Sequence, residues 1–228
     1  PGDARYNTIR WIIQPGAGYA VGPSRANPFT GELYDADIRI SADFTRAFYR
    51  EFDEFVVPVT ADGPIALWKE DDKETDSYQC EYADHLRDQM ILSWHSLISQ
   101  GLVNNSAASL NDYVYKGLVD LGLHEVGHTL GLRHNFKASS IYSIEQLSDK
   151  NFTEKYGISG SVMDYHPVCL LNKGHTLFQT KPGTYDLWAI QYGYEQFISG
   201  DEDSNLNNIA TKSNHPLLAY ATDEDTFG

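Results

Sequence analysis

The amino-acid sequence predicts a mixed α/β domain in which a small sheet precedes several helices. Three observations support this fold class: strand-like segments lie within the first 40 residues, three helical segments follow, and the second half is rich in loops. The chain has 228 residues, of which 41% are hydrophobic, enough for a packed core. No apolar run approaches the roughly 18 residues that a membrane-spanning helix needs.

The strand-like segments come first. Residues 7–13 are β-branched and aromatic, which predicts a buried strand. Residues 19–21 fit a short strand and residues 27–31 a turn. Residues 34–40 alternate between apolar and charged side chains, which predicts a half-exposed strand.

Three helices are expected next. Ser41 can cap a helix over residues 42–54, a second helix over about 79–100 ends at Gly101, and a third covers about 109–130. The first two helices have apolar stripes at helical spacing: Phe44, Ala47, Phe48 and Phe52 in one, and Ala83, Leu86, Met90, Trp94, Leu97 and Ile98 in the other.

Charge and cysteine content narrow the function classes. The 17 Lys and Arg against 32 Asp and Glu give a net charge of −15, which would repel a phosphate backbone, so no nucleic-acid partner is expected. Acidic clusters at 71–72, 201–203 and 223–225 could hold Ca²⁺, although none has the spacing of an EF-hand. Cys80 and Cys169 allow one disulfide at most and form no CxxC pair.

The segment 124–134 reads His-Glu-Val-Gly-His-Thr-Leu-Gly-Leu-Arg-His. On a helix, His124 and His128 lie one turn apart on the same face, so both imidazoles can reach one zinc ion. Glu125 is offset around the helix and can reach a metal-bound water without displacing a histidine.

The end of this segment supplies a third ligand. Gly131 lies where the helix must end in a left-handed residue, and His134 can then close the third corner of a tetrahedron. The fourth corner is left for water, which is typical of a catalytic site. A set of ordinary core histidines is the alternative, but the full pattern is expected by chance on the order of a few times in 10⁵ chains.

The pattern HExxHxxGxxH resembles the signature of the metzincin metallopeptidases, which also have a downstream methionine turn. The run Ser-Val-Met-Asp-Tyr at 161–165 resembles that turn. The resemblance implies that Met163 forms an apolar floor beneath the imidazoles and that Tyr165 stabilises the oxyanion. Residues 185–194 resemble the helix that closes the domain in serralysins and matrixins.

Segments 7–11, 27–31 and 132–136 resemble a bacterial group of large, predicted extracytoplasmic zinc metalloproteases, and so does the tail at 221–225. This likeness implies a fragment of a catalytic region, with an incomplete twisted sheet and further domains in a larger parent chain. An upper lobe over 1–130 and a loop-rich lower lobe over 131–228 are expected. The location implied is extracytoplasmic: periplasmic, cell-surface or secreted.

The resulting hypothesis is a zinc peptidase that hydrolyses proteins or peptides with a metal-activated water and Glu125 as general base. Residues 18–24 are either the edge strand that pairs with substrate or a loop. The family resemblance implies that His166, Pro167 and Val168 line the pocket for the side chain after the cut. Two alternatives stay open: a catalytically silent metzincin-like peptide-binding module, and a zinc hydrolase of a non-peptide substrate.

Overall fold

The computed structural model describes residues 3, 5–13, 19–56, 80–198 and 200–225. Over these residues the fold is mixed α/β, with a small sheet before the helices, which confirms the predicted class. No described helix combines the length and apolar character needed to cross a membrane. The strands are β1 (Thr8–Ile12), β2 (Ala20–Val21), β3 (Ser24–Ala26) and β4 (Leu33–Ser41). The helices are α1 (Asp43–Val56), α2 (Tyr82–Ser99), α3 (Ala107–Thr129), α4 (Ile144–Ser148), α5 (Lys150–Tyr156), α6 (Thr184–Tyr194) and α7 (Glu202–Ala210).

Strand β4 is the centre of the sheet. β1 pairs with it in parallel on one side, with Thr8 opposite Asp37. β2 and β3 pair with it antiparallel, with Ala20 opposite Ile40 and Ser24 opposite Ala36. Of the segment 18–24, residues 20–21 and 24 lie in two short antiparallel strands rather than in a loop, with residues 22–23 between the strands, and residue 18 lies outside the described residues. Among the described strands, only β4 pairs with β2 and β3.

The expectation for residues 7–13 is right about the strand and wrong about its burial. β1 lies at the other edge of the described sheet, and Ile9, Trp11 and Ile13 are 68%, 53% and 74% exposed. β-branched and aromatic composition favours extended backbone, but burial depends on what covers the strand face.

The core lies between the sheet, α1, α2 and α3. Ile38 and Ile40 of β4 and Phe44 and Phe48 of α1 belong to one buried cluster, as does most of the predicted α2 stripe. Ile98 is only partly buried, and the side chains of Ala47 and Phe52 lie outside the described residues. This cluster holds α3 against α2 and the sheet, so the helix that carries the histidines has a fixed position.

Both ends of α3 are capped, and the cap at Gly131 is the one that the sequence predicts. The side chain of Ser106 accepts a hydrogen bond from the backbone N–H of Ser109 at 3.2 Å. At the other end Gly131 has φ +87°, and the N–H of Leu132 donates to the carbonyl of Gly127 at 3.0 Å. This is a Schellman motif, which satisfies the last carbonyls of the helix and turns the chain back towards the site.

Candidate metal centre

Three imidazoles converge at the end of α3. His124 and His128 leave the same helix face, with ring centroids 4.8 Å apart, and His134 lies 4.8 Å from the ring of His128. One ring nitrogen from each histidine, together with the sulfur of Cys80, falls in a group whose atoms all lie within 4.8 Å of one another. Such a group has the donor types that zinc prefers.

Backbone carbonyls fix the tautomers of the two helix histidines. His124 Nδ1 lies 2.7 Å from the carbonyl oxygen of Val162, and His128 Nδ1 lies 3.1 Å from that of Leu132. A carbonyl oxygen only accepts, so each Nδ1 carries the proton and each Nε2 presents a lone pair to the centre. Among the described residues, the buried Nε2 of His128 has no hydrogen-bond partner, as expected for a ligand atom.

Both helix histidines are held in the neutral form that metal binding requires. Burial lowers the pKa of His124 well below its ordinary value, and the neighbouring His128 adds to the effect. Burial also lowers the pKa of His128, with a contribution from His134. The residues present therefore fit a zinc ion.

The third imidazole is oriented by the C-terminal segment. His134 Nδ1 lies 2.9 Å from a carboxylate oxygen of Asp223, and the adjacent Arg133 forms an ion pair with Glu224 at 2.6 Å. Burial alone would raise the pKa of Asp223, but the hydrogen bond and charge interaction with His134 outweigh it and lower that pKa.

The acidic clusters that could hold Ca²⁺ can be compared with the structure. In the part of the chain that the structure describes, the acidic runs 201–203 and 223–225 form no group of three metal-ligating side chains, so Ca²⁺ has no support there. Residues 71–72 lie outside the described residues.

We expect Asp223→Ala to weaken zinc binding by about 10–100-fold, because the ring of His134 would lose the partner that orients it. Competition against a zinc chelator measures the change. Glu224→Ala is the matched control: Glu224 contacts Arg133 at the surface, and its loss should leave the zinc affinity unchanged. Equal affinities for both variants would contradict the role of Asp223.

Glu125 lies next to the first histidine and is fully buried. Neither of its carboxylate oxygens has a hydrogen-bond partner among the described residues, and burial raises its pKa to about 7. A Cβ atom at Gly22 would overlap the carbonyl oxygen of Glu125, so the backbone between β2 and β3 touches α3 at this point. The carboxylate thus lies beside the edge strand and has no hydrogen-bond partner among the described residues. Its pKa is close to neutral pH.

The methionine of the predicted turn packs against the histidine helix. Met163 is fully buried, and a Cβ at Gly127 would overlap its sulfur, so only glycine permits this contact. The carbonyl of Met163 accepts a hydrogen bond from the N–H of Asn135 at 2.9 Å. The turn therefore contacts α3 at Gly127 and the backbone of Asn135, the residue after the third histidine.

An aspartate at the start of α6 holds the turn in place. Asp186 accepts from Ser161 Oγ at 2.5 Å and from the N–H groups of Val162 and Gly183 at 2.9 and 2.7 Å. Because the carbonyl of Val162 is the partner of His124, Asp186 supports the metal centre through the turn.

The hydroxyl of Tyr165 lies at the edge of the centre. It is 3.4 Å from His134 Nε2 and accepts from the N–H of Glu81 at 3.1 Å. Burial raises the pKa of Tyr165, so the phenol stays protonated and can donate.

The three residues expected to line a substrate pocket lie in different environments. His166 is buried, with Nε2 3.4 Å from a carboxylate oxygen of Asp120 and 3.3 Å from the hydroxyl of Tyr82. Val168 belongs to the buried core cluster, and Pro167 is exposed. Contact of any of them with substrate stays a prediction.

Cys80 is the member of the group that sequence reasoning missed. It lies 44 residues before His124, and no local spacing connects it to the motif. Cys80 and Cys169 are both free, so the possible disulfide is absent. Burial and the nearby carboxylate of Glu125 raise the pKa of Cys80 to about 12.

Comparison with known protein families gives a match over the second half of the chain. Residues 107–228, more than half of the chain, match the profile of a family described as Met-zincin. The matched region contains all of α3, the three histidines, the turn around Met163 and the tail with Asp223. No curated protein and no solved structure matches the chain.

Proposed function

Since the chain belongs to the Met-zincin family, we propose that it is a zinc-dependent peptidase that hydrolyses peptide bonds of proteins or peptides. One observation supports this function above the rest. Three imidazole Nε2 atoms, two of them fixed by backbone carbonyls, converge beside the buried carboxylate of Glu125, for which no hydrogen-bond partner is described. That is the donor set of a catalytic zinc site with a general base at hand.

The histidines His124, His128 and His134 would hold the ion. A bound zinc ion supplies Lewis acidity, which polarises a carbonyl and lowers the pKa of water. Glu125 then takes the proton of the attacking water on a carboxylate oxygen and passes it to the departing amine nitrogen. A carboxylate whose pKa is raised by burial suits both steps, since it binds and releases a proton near neutral pH.

Tyr165 supplies a hydrogen-bond donor for the developing oxyanion. Its hydroxyl lies 3.4 Å from His134 Nε2, within reach of a group bound at the centre, and its raised pKa keeps the proton on the oxygen. A donor placed where charge develops in the transition state is typically worth several kcal/mol, about 2.7–4 for an oxyanion-hole group.

The substrate is an extended peptide that pairs with the free edge of β2 and β3. Both strands are antiparallel to β4, and their other edge has no partner among the described strands. The close approach of Gly22 to Glu125 places this edge next to the general base. Main-chain hydrogen bonds along the edge would then align the peptide with the centre.

The test is cleavage of a quenched fluorescent peptide library by the zinc-loaded chain. We expect cleavage that stops when a chelator removes the metal and returns when zinc is added. One zinc ion per chain without cleavage of any peptide would contradict the proposal and favour a catalytically silent binding module.

The same proposal includes the cellular location of the protein and the presence of further domains in its parent chain. The likeness of segments 27–31 and 132–136 to large extracytoplasmic metalloproteases supports a place outside the cytoplasm and further domains in the parent protein. Immunodetection in fractionated source cells measures both the compartment and the length of the native chain.

A further inference from the structure

A cysteine lies beside the three histidines, where a fourth ligand of the metal would bind. Cys80 Sγ lies 3.3 Å from His124 Nε2 and 3.6 Å from His134 Nε2. A tetrahedron with arms of about 2.0–2.3 Å, the usual zinc–nitrogen and zinc–sulfur lengths, has edges of about 3.3–3.8 Å. Both separations fall within this range, so the sulfur lies at the distance of a fourth ligand from His124 and His134.

The chemistry of the sulfur agrees with its position. Thiolate and imidazole are the two side-chain donors that zinc binds most often, and a centre with three histidines and one cysteine is saturated with four protein ligands. Zinc deprotonates a thiol that coordinates it, so a high pKa in the metal-free chain does not oppose this bond.

The residues that follow Cys80 hold it over the centre. The N–H of Glu81 donates to the hydroxyl of Tyr165 at 3.1 Å. The ring of Tyr82 stacks on His124, with centroids 4.3 Å apart, and its hydroxyl donates to Asp120 at 2.8 Å. The start of α2 therefore contacts three groups around the histidines. These contacts hold the backbone at Cys80, so the position of the sulfur does not depend on the Cys80 rotamer alone.

We propose that Cys80 is the fourth protein ligand of the zinc ion, so that its thiolate occupies the position that water needs for hydrolysis. The inference rests on the proposed function in one respect: if the chain is a peptidase, this arrangement is its latent state. The thiol gives up its proton to solvent when the sulfur binds the metal. Opening the site returns a proton to the sulfur and lets water enter in its place.

Cobalt substitution tests the ligand directly, without any assay of activity. Cobalt(II) bound to a thiolate has a strong charge-transfer absorption in the near ultraviolet that nitrogen and oxygen ligands do not produce. We expect this band in the cobalt-loaded wild-type chain and in Cys169→Ala, which changes the other, distant cysteine of the sequence. We expect it to be lost in Cys80→Ser and Cys80→Ala.

Zinc affinity and folding complete the test. Loss of a direct ligand should weaken zinc binding by more than the about 10–100-fold that losing an outer hydrogen-bond partner costs. Circular dichroism of Cys80→Ser, which differs by one atom, shows whether the variant keeps its fold. A wild-type chain that binds one cobalt ion without the thiolate band would overturn the assignment of Cys80.

Peptidase activity separates this inference from the proposed function. If the open form is a minor state of about 1–10%, Cys80→Ala should cleave peptides about 10–100-fold faster than the wild type. A thiolate band without cleavage by any variant would support Cys80 as a ligand and contradict the peptidase. Equal cleavage by wild type and Cys80→Ala, with no band, would overturn Cys80 as a ligand and leave the peptidase standing.

Discussion

Replacing Glu125 with Gln should leave one zinc ion per chain and lower peptide hydrolysis by about 10²–10⁴-fold. The expected loss is the usual contribution of a positioned general base. Glutamine keeps the shape of the side chain but cannot take a proton from water. Because Glu125 is not among the converging metal-ligating groups, zinc affinity should change little. Single-turnover cleavage of a quenched peptide, with zinc measured on the same samples, provides the comparison.

The control for this prediction is Glu195→Gln, which makes the same chemical change at an exposed residue beyond α6. It should hydrolyse peptides at the wild-type rate. If Glu125→Gln kept full activity with zinc bound, another group would have to be the base. The test is best run also on the Cys80→Ala background, where the proposed blocking thiolate is absent.

The parts of the site that were predictable from sequence are those set by local geometry. His124 and His128 are one helical turn apart, so their common face follows from the period of the helix. Gly131 ends α3 with a positive φ, as a left-handed cap requires, and this brings His134 back to the other two rings.

The parts that could not be predicted depend on contacts between distant residues. Asp223 lies 89 residues after His134, and Cys80 lies 44 before His124, so no periodic pattern relates them to the motif. Acidic clusters are common on protein surfaces and free cysteines are common in protein interiors, so neither marks a metal site by itself. Only the folded chain shows which of them reaches a ligand. The exposure of Trp11 has the same origin, since composition predicts the strand but not its neighbours.

The buried pair of Asp120 and His166 is a further example of a contact between distant residues that no sequence pattern indicates. Asp120 lies on α3 one turn before His124 and is completely buried. Its carboxylate accepts from the hydroxyl of Tyr82 at 2.8 Å and from the N–H of Gln179 at 2.9 Å, and it faces His166 Nε2 at 3.4 Å. One side chain therefore joins the start of α2, the segment after the methionine turn and the segment around Gln179 to the histidine helix.

Asp120→Ala should lower the free energy of unfolding by about 3–5 kcal/mol, the usual result of removing one partner from a buried charge pair. The substitution leaves the imidazole of His166, the hydroxyl of Tyr82 and the N–H of Gln179 buried without their acceptor. For a chain of this size the loss corresponds to a fall in Tm of about 6–20 °C. Denaturant and thermal unfolding of the metal-free chain measure it without interference from zinc.

The matched variant Asp120→Asn removes the charge and keeps one of the two acceptor oxygens. The loss of one hydrogen bond does not depend on pH, so a pH-dependent stability difference reports the charge. Burial alone would lower the pKa of His166, but the charge of Asp120 and the hydrogen bond to it outweigh burial and raise that pKa. A histidine whose folded pKa is raised stabilises the fold fully below its unfolded pKa of about 6.5, and this stabilisation is lost as the pH rises through the folded pKa. The stability difference between wild type and Asp120→Asn should therefore be largest at acidic pH and shrink as the pH rises above about 6.5. A difference that stays constant over this range would show that His166 is neutral, and that Asp120 acts only as an acceptor for Tyr82 and Gln179.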